Sequence, residues 1–445
     1  MILIPLLVIL ILFAWFLMVI FESEAPLLTL EPLPEYLSKK QSFVIKSSDM
    51  KRGLKALKVS YTHGGTEQTV LDVKFPFEGI LNGKGTHNYQ KEFIIDPQAL
   101  HLTQGTIEIN VQAWDYSRKN GGDGNITVIK RTLIVDTIPP TARPLSQMHN
   151  INQGGTGLVV YQASSDTIES GVYVNDVFFK GFPAGDDPKK GDYVAYFAIP
   201  YDITTNPTIS LWAKDKAGNT VTSAFTCLVK RVQFRSDDMN VTDSFLKKVL
   251  PYFSDEIDPK ASDIDNYLKI NTDLRKKNNA VFYDLMKDVS ADKLWAGSWL
   301  RLKNSAPMAN YADHRKYLYN GKLMDEEDHL GCDLASLANS PVDAENSGKI
   351  LFAERNGIYG NAVVIDHGQG IASVYGHLSD ISVTKGQLVK KGDIIGHTGQ
   401  TGLAGGDHLH VSILVHGVFV NPKEWWDDHW IQDNITSKLD LLKGQ

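Results

Sequence analysis

The sequence predicts a multidomain, mainly β chain: an N-terminal transmembrane helix, two β-sandwich modules, a small helical region and a C-terminal Gly-rich antiparallel β domain. Three observations predict it. The first 21 residues carry no charge. Short strand-like runs separated by turn residues fill positions 42–232 and repeat after about 100 residues. Nine of the 13 histidines gather in residues 314–445, among strand-like runs cornered by glycine. At 445 residues the chain exceeds one ordinary domain.

The N-terminal run, residues 1–21, is mostly Leu, Ile, Val and Phe. At a rise of ~1.5 Å per residue it spans a hydrocarbon core of roughly 30 Å. No Lys or Arg precedes it and no A-x-A-like site ends it, so an uncleaved signal anchor is favoured over a cleaved signal peptide. The first basic residue is Lys39, and the acidic flank Glu22-Ser23-Glu24 accords with the bulk of the chain lying outside. The expected location is therefore single-pass in the inner or cytoplasmic membrane, with the rest extracytoplasmic, in periplasm or cell wall. Residues 22–41, with Pro26, Pro32 and Pro34, read as a stalk.

Residues 42–137 form the first predicted sandwich, with strand runs such as Phe43-Val44-Ile45 and Ile107-Glu108-Ile109-Asn110-Val111. The pair Pro139-Pro140 cannot continue a central strand and marks a joint. Residues 141–232 form the second. Val111-Gln112-Ala113-Trp114-Asp115 matches Leu211-Trp212-Ala213-Lys214-Asp215, and each is followed by an Asn-led run at Asn125 or Asn219. These endings resemble bacterial immunoglobulin-like modules of surface proteins, which implies a spacer or docking role.

From residue 237 to 305 the period becomes helical. Phe245, Val249 and Phe253 stand four apart, and Ile264, Leu268 and Leu274 precede Arg275-Lys276-Lys277. Val281–Lys287 and Ala291–Leu300 predict further short helices, and the aromatic residues here are assigned to a core. Tyr317–Met324 reads as a hairpin about Asn320-Gly321. The domain over 310–427 follows, and residues 428–445 form a C-terminal segment with a short helix at Leu439–Leu442.

The net charge of -7 gives no reason to expect nucleic acid. The two cysteines, Cys227 and Cys332, exclude a disulfide framework or a cysteine-rich metal site. His408 and His410 stand two apart, so a strand carries both imidazoles on one face with Leu409, Val411 and Ile413 on the other. His329 and Asp333, four apart, share a face if extended. Together they supply nitrogen and oxygen donors suited to zinc, with an imidazole to spare. His377, in Gly376-His377-Leu378, ends an apolar run where a side chain projects over a cleft. Cys332 has an odd offset from His329 and Asp333, which turns it to the core side.

His329-Leu330-Gly331-Cys332-Asp333 resembles the His-x-Gly-x-Asp motif of lysostaphin-type (LytM-like) zinc metallopeptidases, and His408-Leu409-His410 resembles their His-x-His motif. Gly360–Gly368, Tyr375–Ser379, Val389–Gly396 and Val420-Asn421-Pro422 are similar to further family segments. The resemblance implies that His329, Asp333 and His410 bind Zn2+ and that His377 and His408 are the two catalytic histidines. It does not divide general base from oxyanion partner between them. It gives His367 a structural role, outside the ligand set. A catalytic zinc keeps three protein ligands and a position for water, which it acidifies as the nucleophile.

The resemblance implies an endopeptidase hydrolysing peptide cross-bridges of bacterial peptidoglycan, and the N-terminal run makes the expected enzyme membrane-anchored. Its implied contacts are peptidoglycan, the membrane through the N-terminal helix, and an envelope protein partner. Two alternatives stand beside it: a non-catalytic envelope scaffold that activates a cell-wall amidase, and a peptidase of envelope proteins.

Overall fold

A computed structural model of the protein describes residues 3–185 and 190–443. Met1 and Ile2 of the expected anchor, residues 186–189 of the second module and the last two residues of the C-terminal segment lie outside the described residues. Two compact units emerge, one up to Pro139 together with Asp215–Asn219, the other Pro140–Lys214 with the chain from Thr220 onward.

The first unit begins with the helix Leu3–Ile20, 18 residues whose apolar side chains are mostly exposed. At ~1.5 Å per residue this is ~27 Å, against a hydrocarbon core of roughly 30 Å. Among the described residues, no helix is long and apolar enough to cross a membrane. A β-sandwich follows. One sheet orders Leu27–Glu31, Gln41–Ser48 and Asn88–Ile95; the other orders Tyr36–Leu37, Ile126–Val135, Gly105–Asp115, Leu54–His63 and Thr66–Lys74. Strict alternation along Gly105–Asp115 buries Ile107, Ile109, Val111 and Ala113. The stalk expected over 22–41 is corrected. Leu27–Glu31 and Tyr36–Leu37 are strands of the sandwich, paired with Gln41–Ser48 and Ile126–Val135. The prolines that read as a linker sit beside those short strands, where no ladder hydrogen bond is needed.

The second β module opens the other unit. Its sheets order Phe182–Pro183, Asp192–Ala198, Thr156–Ala163, Ala142–Pro144 and Val177–Lys180, Thr167–Val174, Ile209–Asp215, Thr220–Ala224. The repeated Ala-x-Asp ending has a physical basis. Asp115 accepts the backbone and side-chain N–H groups of Asn125 at 2.7 and 2.8 Å, and Asp215 accepts those of Asn219 at 2.8 and 2.9 Å. Each clasp closes the turn after a central strand. This module is not a detached spacer. Tyr196 and Phe197 share a core with Ile413, Val415, Val420 and Trp425 of the C-terminal domain. The C-terminal segment turns helical already at Asp428 and lies on the module, where Lys438 Nζ donates to the Leu158 carbonyl at 3.2 Å.

The helical region departs from expectation at both ends. Ser236–Val241 is a strand, pairing in parallel with His314–Tyr319, which pairs in turn with Lys322–Asp328 across the Asn320-Gly321 turn. Thr242 and Ser262 cap Asp243–Val249 and Asp263–Lys269, and a π-turn carries the latter into Arg275–Leu285. Ala291–Leu300 is irregular instead of helical. Gly297 has a φ of 62°, and the N–H groups of Leu294, Trp299 and Leu300 bond to the carbonyls of His367, Trp425 and Glu345. The segment gives up its own helix to bury Trp295 and Trp299 against Trp425, with ring centroids 5.4 and 5.0 Å away.

The C-terminal domain is built on an antiparallel sheet ordered Ala306–Ala309, Cys332–Ala335, Leu409–Val415, Ile371–Leu378, Asn361–Gly368, Gly348–Arg355 and Leu388–Val389, with Val418–Val420 also on Leu409–Val415. Its central strands are buried on both faces, which explains why they read as near-continuous apolar runs.

Candidate metal centre

Sheet register brings the two motifs together. Asp333 lies directly opposite His410 on the neighbouring strand, and Gly376 lies opposite His410 on its other side. The next residue, His377, has a left-handed φ of 63°, which is uncommon outside glycine and turns the strand end at the cleft. His329 stands in the loop before Cys332–Ala335 instead of on a strand. Gly331 is required by close approach, since a Cβ there would lie 2.5 Å from both His410 Nε2 and the Val411 carbonyl.

His329, Asp333 and His410 are all buried and converge. Asp333 Oδ1 is 2.9 Å from His329 Nε2 and 2.9 Å from His410 Nδ1, and these two nitrogens are 3.0 Å apart. Their outer partners fix the tautomers. His329 Nδ1 is 2.9 Å from the Asn310 carbonyl, which can only accept, so that nitrogen holds the proton. His410 Nε2 is 2.9 Å from Ser412 Oγ, whose own proton goes to the Leu330 carbonyl at 2.7 Å, so Nε2 donates there. The three inward atoms are thus a carboxylate oxygen and two ring nitrogens bearing lone pairs. Acceptors this close repel one another unless a cation sits among them. Two imidazole nitrogens and one carboxylate oxygen form a set that fits zinc.

His377 and His408 complete the floor. His377 Nδ1 donates to the Thr401 carbonyl and His408 Nδ1 to the Gly406 carbonyl, both at 2.8 Å, leaving each Nε2 for the cleft. The two rings are 4.7 Å apart, and His408 Nε2 is 3.6 Å from Asp333 Oδ1. Burial opposes ionisation of Asp333, but the surrounding imidazoles, His329 foremost, hold its carboxyl well below the usual range. Burial pushes His410 down to about 4 and His377 well below the ordinary imidazole value. Burial also works against charge on His408, yet the adjacent Asp333 carries its pKa upward.

The other candidates lie elsewhere. His367 is buried between the Ser347 carbonyl and Ser373 Oγ, at 2.8 and 2.7 Å, with Trp299 against its ring. Cys332 is buried in the apolar core, and burial pushes its thiol up to about 12. Sequence reasoning missed four partners: Asn310, Ser412, Thr401 and Arg315. Ser412 carries a legible signal, because it follows His410 at the same two-residue spacing. Arg315 carries none. It comes from the His314–Tyr319 strand, and its Nη2 donates to Asp333 Oδ2 at 3.0 Å. Above the floor is a cleft of about 380 Å³ walled by Phe245, Tyr267, Arg275 and Tyr317, so the helical region lines the site.

Residues 327–422 match the profile of Peptidase family M23. The chain is 44% identical over 94 residues to the DD-carboxypeptidase/endopeptidase Mpg of Neisseria meningitidis serogroup B, a match covering 21% of this chain and 22% of that one. It is 41% identical over 93 residues to the peptidoglycan DD-endopeptidase ShyA of Vibrio cholerae, again 21% and 22%. Each match takes in about a fifth of the relative's length. Among solved structures, the catalytic domain of lysostaphin from Staphylococcus simulans aligns at 28% identity, covering 29% of this chain and 98% of that one with a TM-score of 0.25. The C-terminal part of the chain is a peptidase family M23 domain of the LytM/lysostaphin type.

Proposed function

We propose that the protein is a membrane-anchored zinc metallo-endopeptidase that hydrolyses peptide cross-bridges of bacterial peptidoglycan. The observation that carries this reading is the meeting of His329 Nε2, Asp333 Oδ1 and His410 Nδ1, three proton-free acceptors about 3 Å apart. The family of residues 327–422 and the DD-endopeptidase relatives support the reaction and substrate class. A non-catalytic scaffold would not need this complete donor set.

In the mechanism, His329, Asp333 and His410 would hold the ion, and His377 and His408 would face the reacting groups. Zinc, when bound, polarises the scissile carbonyl and makes water acidic near neutral pH. His408 Nε2, beside the ligand oxygen, accepts the proton of the attacking water and returns it to the leaving amine. His377 Nε2, whose ring is locked by its bond to Thr401, accepts a hydrogen bond that orients that water. Phe245 and Tyr267 line the same cleft with aromatic surface.

The uncharged run over residues 1–21, of which the helix Leu3–Ile20 is the described part, supports an anchor in the inner or cytoplasmic membrane, with the sandwich modules and catalytic domain extracytoplasmic. Immunoglobulin-like modules at 42–137 and 141–232 would then carry the domain towards the wall, the second as part of its support. Digestion of purified peptidoglycan by the full chain, with released bonds mapped by mass spectrometry, tests the reading. Cross-linked muropeptides should disappear with time. Their persistence, with cleavage of an envelope protein instead, would favour the alternative substrate.

A further inference from the structure

Asp333 uses its two oxygens differently. Oδ1 faces His329 Nε2 and His410 Nδ1, whereas Oδ2 takes a hydrogen bond from Arg315 Nη2 at 3.0 Å. A carboxylate beside a metal can give one oxygen or two. Two would consume the position that water and substrate need. Arg315 lies before residue 327, where the family match begins, on a strand held between Ser236–Val241 and Lys322–Asp328. Its side chain is only 19% exposed, and the strand pairs Arg315 with Asp237 on one side and Glu327 on the other. The guanidinium is thus delivered by a stiff sheet instead of a loop.

We propose that Arg315 is a positioning residue that keeps Asp333 a one-oxygen ligand, so that the centre is completed from outside the family-matched segment. The proposal rests on the zinc-peptidase reading above. Its guanidinium holds Oδ2 directionally and compensates a buried carboxylate, which a lysine ammonium does only as a point charge. Without it, Oδ2 swings to the ion and the coordination number rises. The sheet and helices over the cleft, 236–328, then bear on the chemistry as well as on the shape of the site.

The test uses the full chain as wild type, Arg315→Gln and Arg315→Lys, each loaded with cobalt(II) and followed by its visible spectrum. Melting temperature and kcat and KM on purified peptidoglycan are measured alongside. Wild type should show the intense visible bands of four-coordinate cobalt. Arg315→Gln should show bands weakened by higher coordination and a kcat about tenfold lower or more, with KM little changed. Arg315→Lys should fall between the two. If Arg315→Gln does not fold, weakened bands in Arg315→Lys support the proposal and wild-type bands overturn it. Wild-type bands in Arg315→Gln, whatever its melting temperature, overturn the assignment of Arg315 alone. A folded wild type that takes up no cobalt overturns the zinc-peptidase reading, and this proposal with it.

Discussion

Ser412 stands two residues beyond His410 on the same face of one strand and takes the Nε2 proton of its ring at 2.9 Å. That bond, passed on to the Leu330 carbonyl, is what leaves Nδ1 free to face Asp333. Ser412→Ala is therefore expected to weaken zinc binding roughly ten- to hundredfold while the chain stays folded. Chelator competition on the purified variant measures this, and an unchanged zinc affinity would contradict the tautomer assignment.

Gly331 presses against the same ring. An alanine Cβ at this position would meet His410 Nε2 and the Val411 carbonyl at 2.5 Å. Gly331→Ala should destabilise the domain by about 1–3 kcal/mol and displace His410. Thermal melts with and without zinc check both effects; a variant that melts and binds zinc as wild type does would show that the strand yields freely.

His367 supplies the contrast. It is fully buried, distant in role from the donor set, and burial takes its pKa down to about 3. His367→Ala should cost about 1–3 kcal/mol by removing the bonds to the Ser347 carbonyl and Ser373 Oγ and opening a gap beside Trp299. Zinc stoichiometry should be unaffected. Loss of the metal at unchanged stability would move His367 into the site.

Glu424 joins the C-terminal domain to the second module. Its carboxylate accepts the Thr156 N–H at 2.9 Å and Asn152 Nδ2 at 3.4 Å, and burial raises its pKa from 4.5 to about 7. The folded chain thus keeps a proton that the unfolded chain has released between those values. Stability from this group is complete below pH 4.5 and is lost as pH rises to about 7, by roughly 3 kcal/mol at most. Glu424→Gln keeps an acceptor for Thr156 and removes the titration. Its melting temperature relative to wild type should be more favourable at pH 8 than at pH 5, by a few degrees. A constant difference across that range would contradict the assignment.

Much of the metal centre was legible because its chemistry is local. His408 stands just before the strand that carries His410, and His329, Gly331 and Asp333 lie within five residues, so each motif is readable by itself, while sheet register brings the two together. The outer partners are legible only where they are close in sequence, as Ser412 is. Arg315 reaches Asp333 through a three-stranded sheet, and no periodicity announces that. Elsewhere local signals competed with tertiary ones. Prolines 26, 32 and 34 read as a stalk, yet the strands beside them find partners in the sandwich. Ala291–Leu300 has helix-forming residues, but burial of Trp295 and Trp299 outweighs its few internal hydrogen bonds. The second module reads as a copy of the first, yet its sheets are composed differently and it packs on Ile413 and Trp425.

The central claim is that His329, Asp333 and His410 hold the ion on which hydrolysis depends. Zinc content and muropeptide release, measured together on the full-length wild type and His410→Ala, test it most directly. The account predicts one zinc per wild-type chain with loss of cross-linked muropeptides, and neither in the variant. A zinc-free His410→Ala chain that still opens the cross-links at the wild-type rate would contradict it.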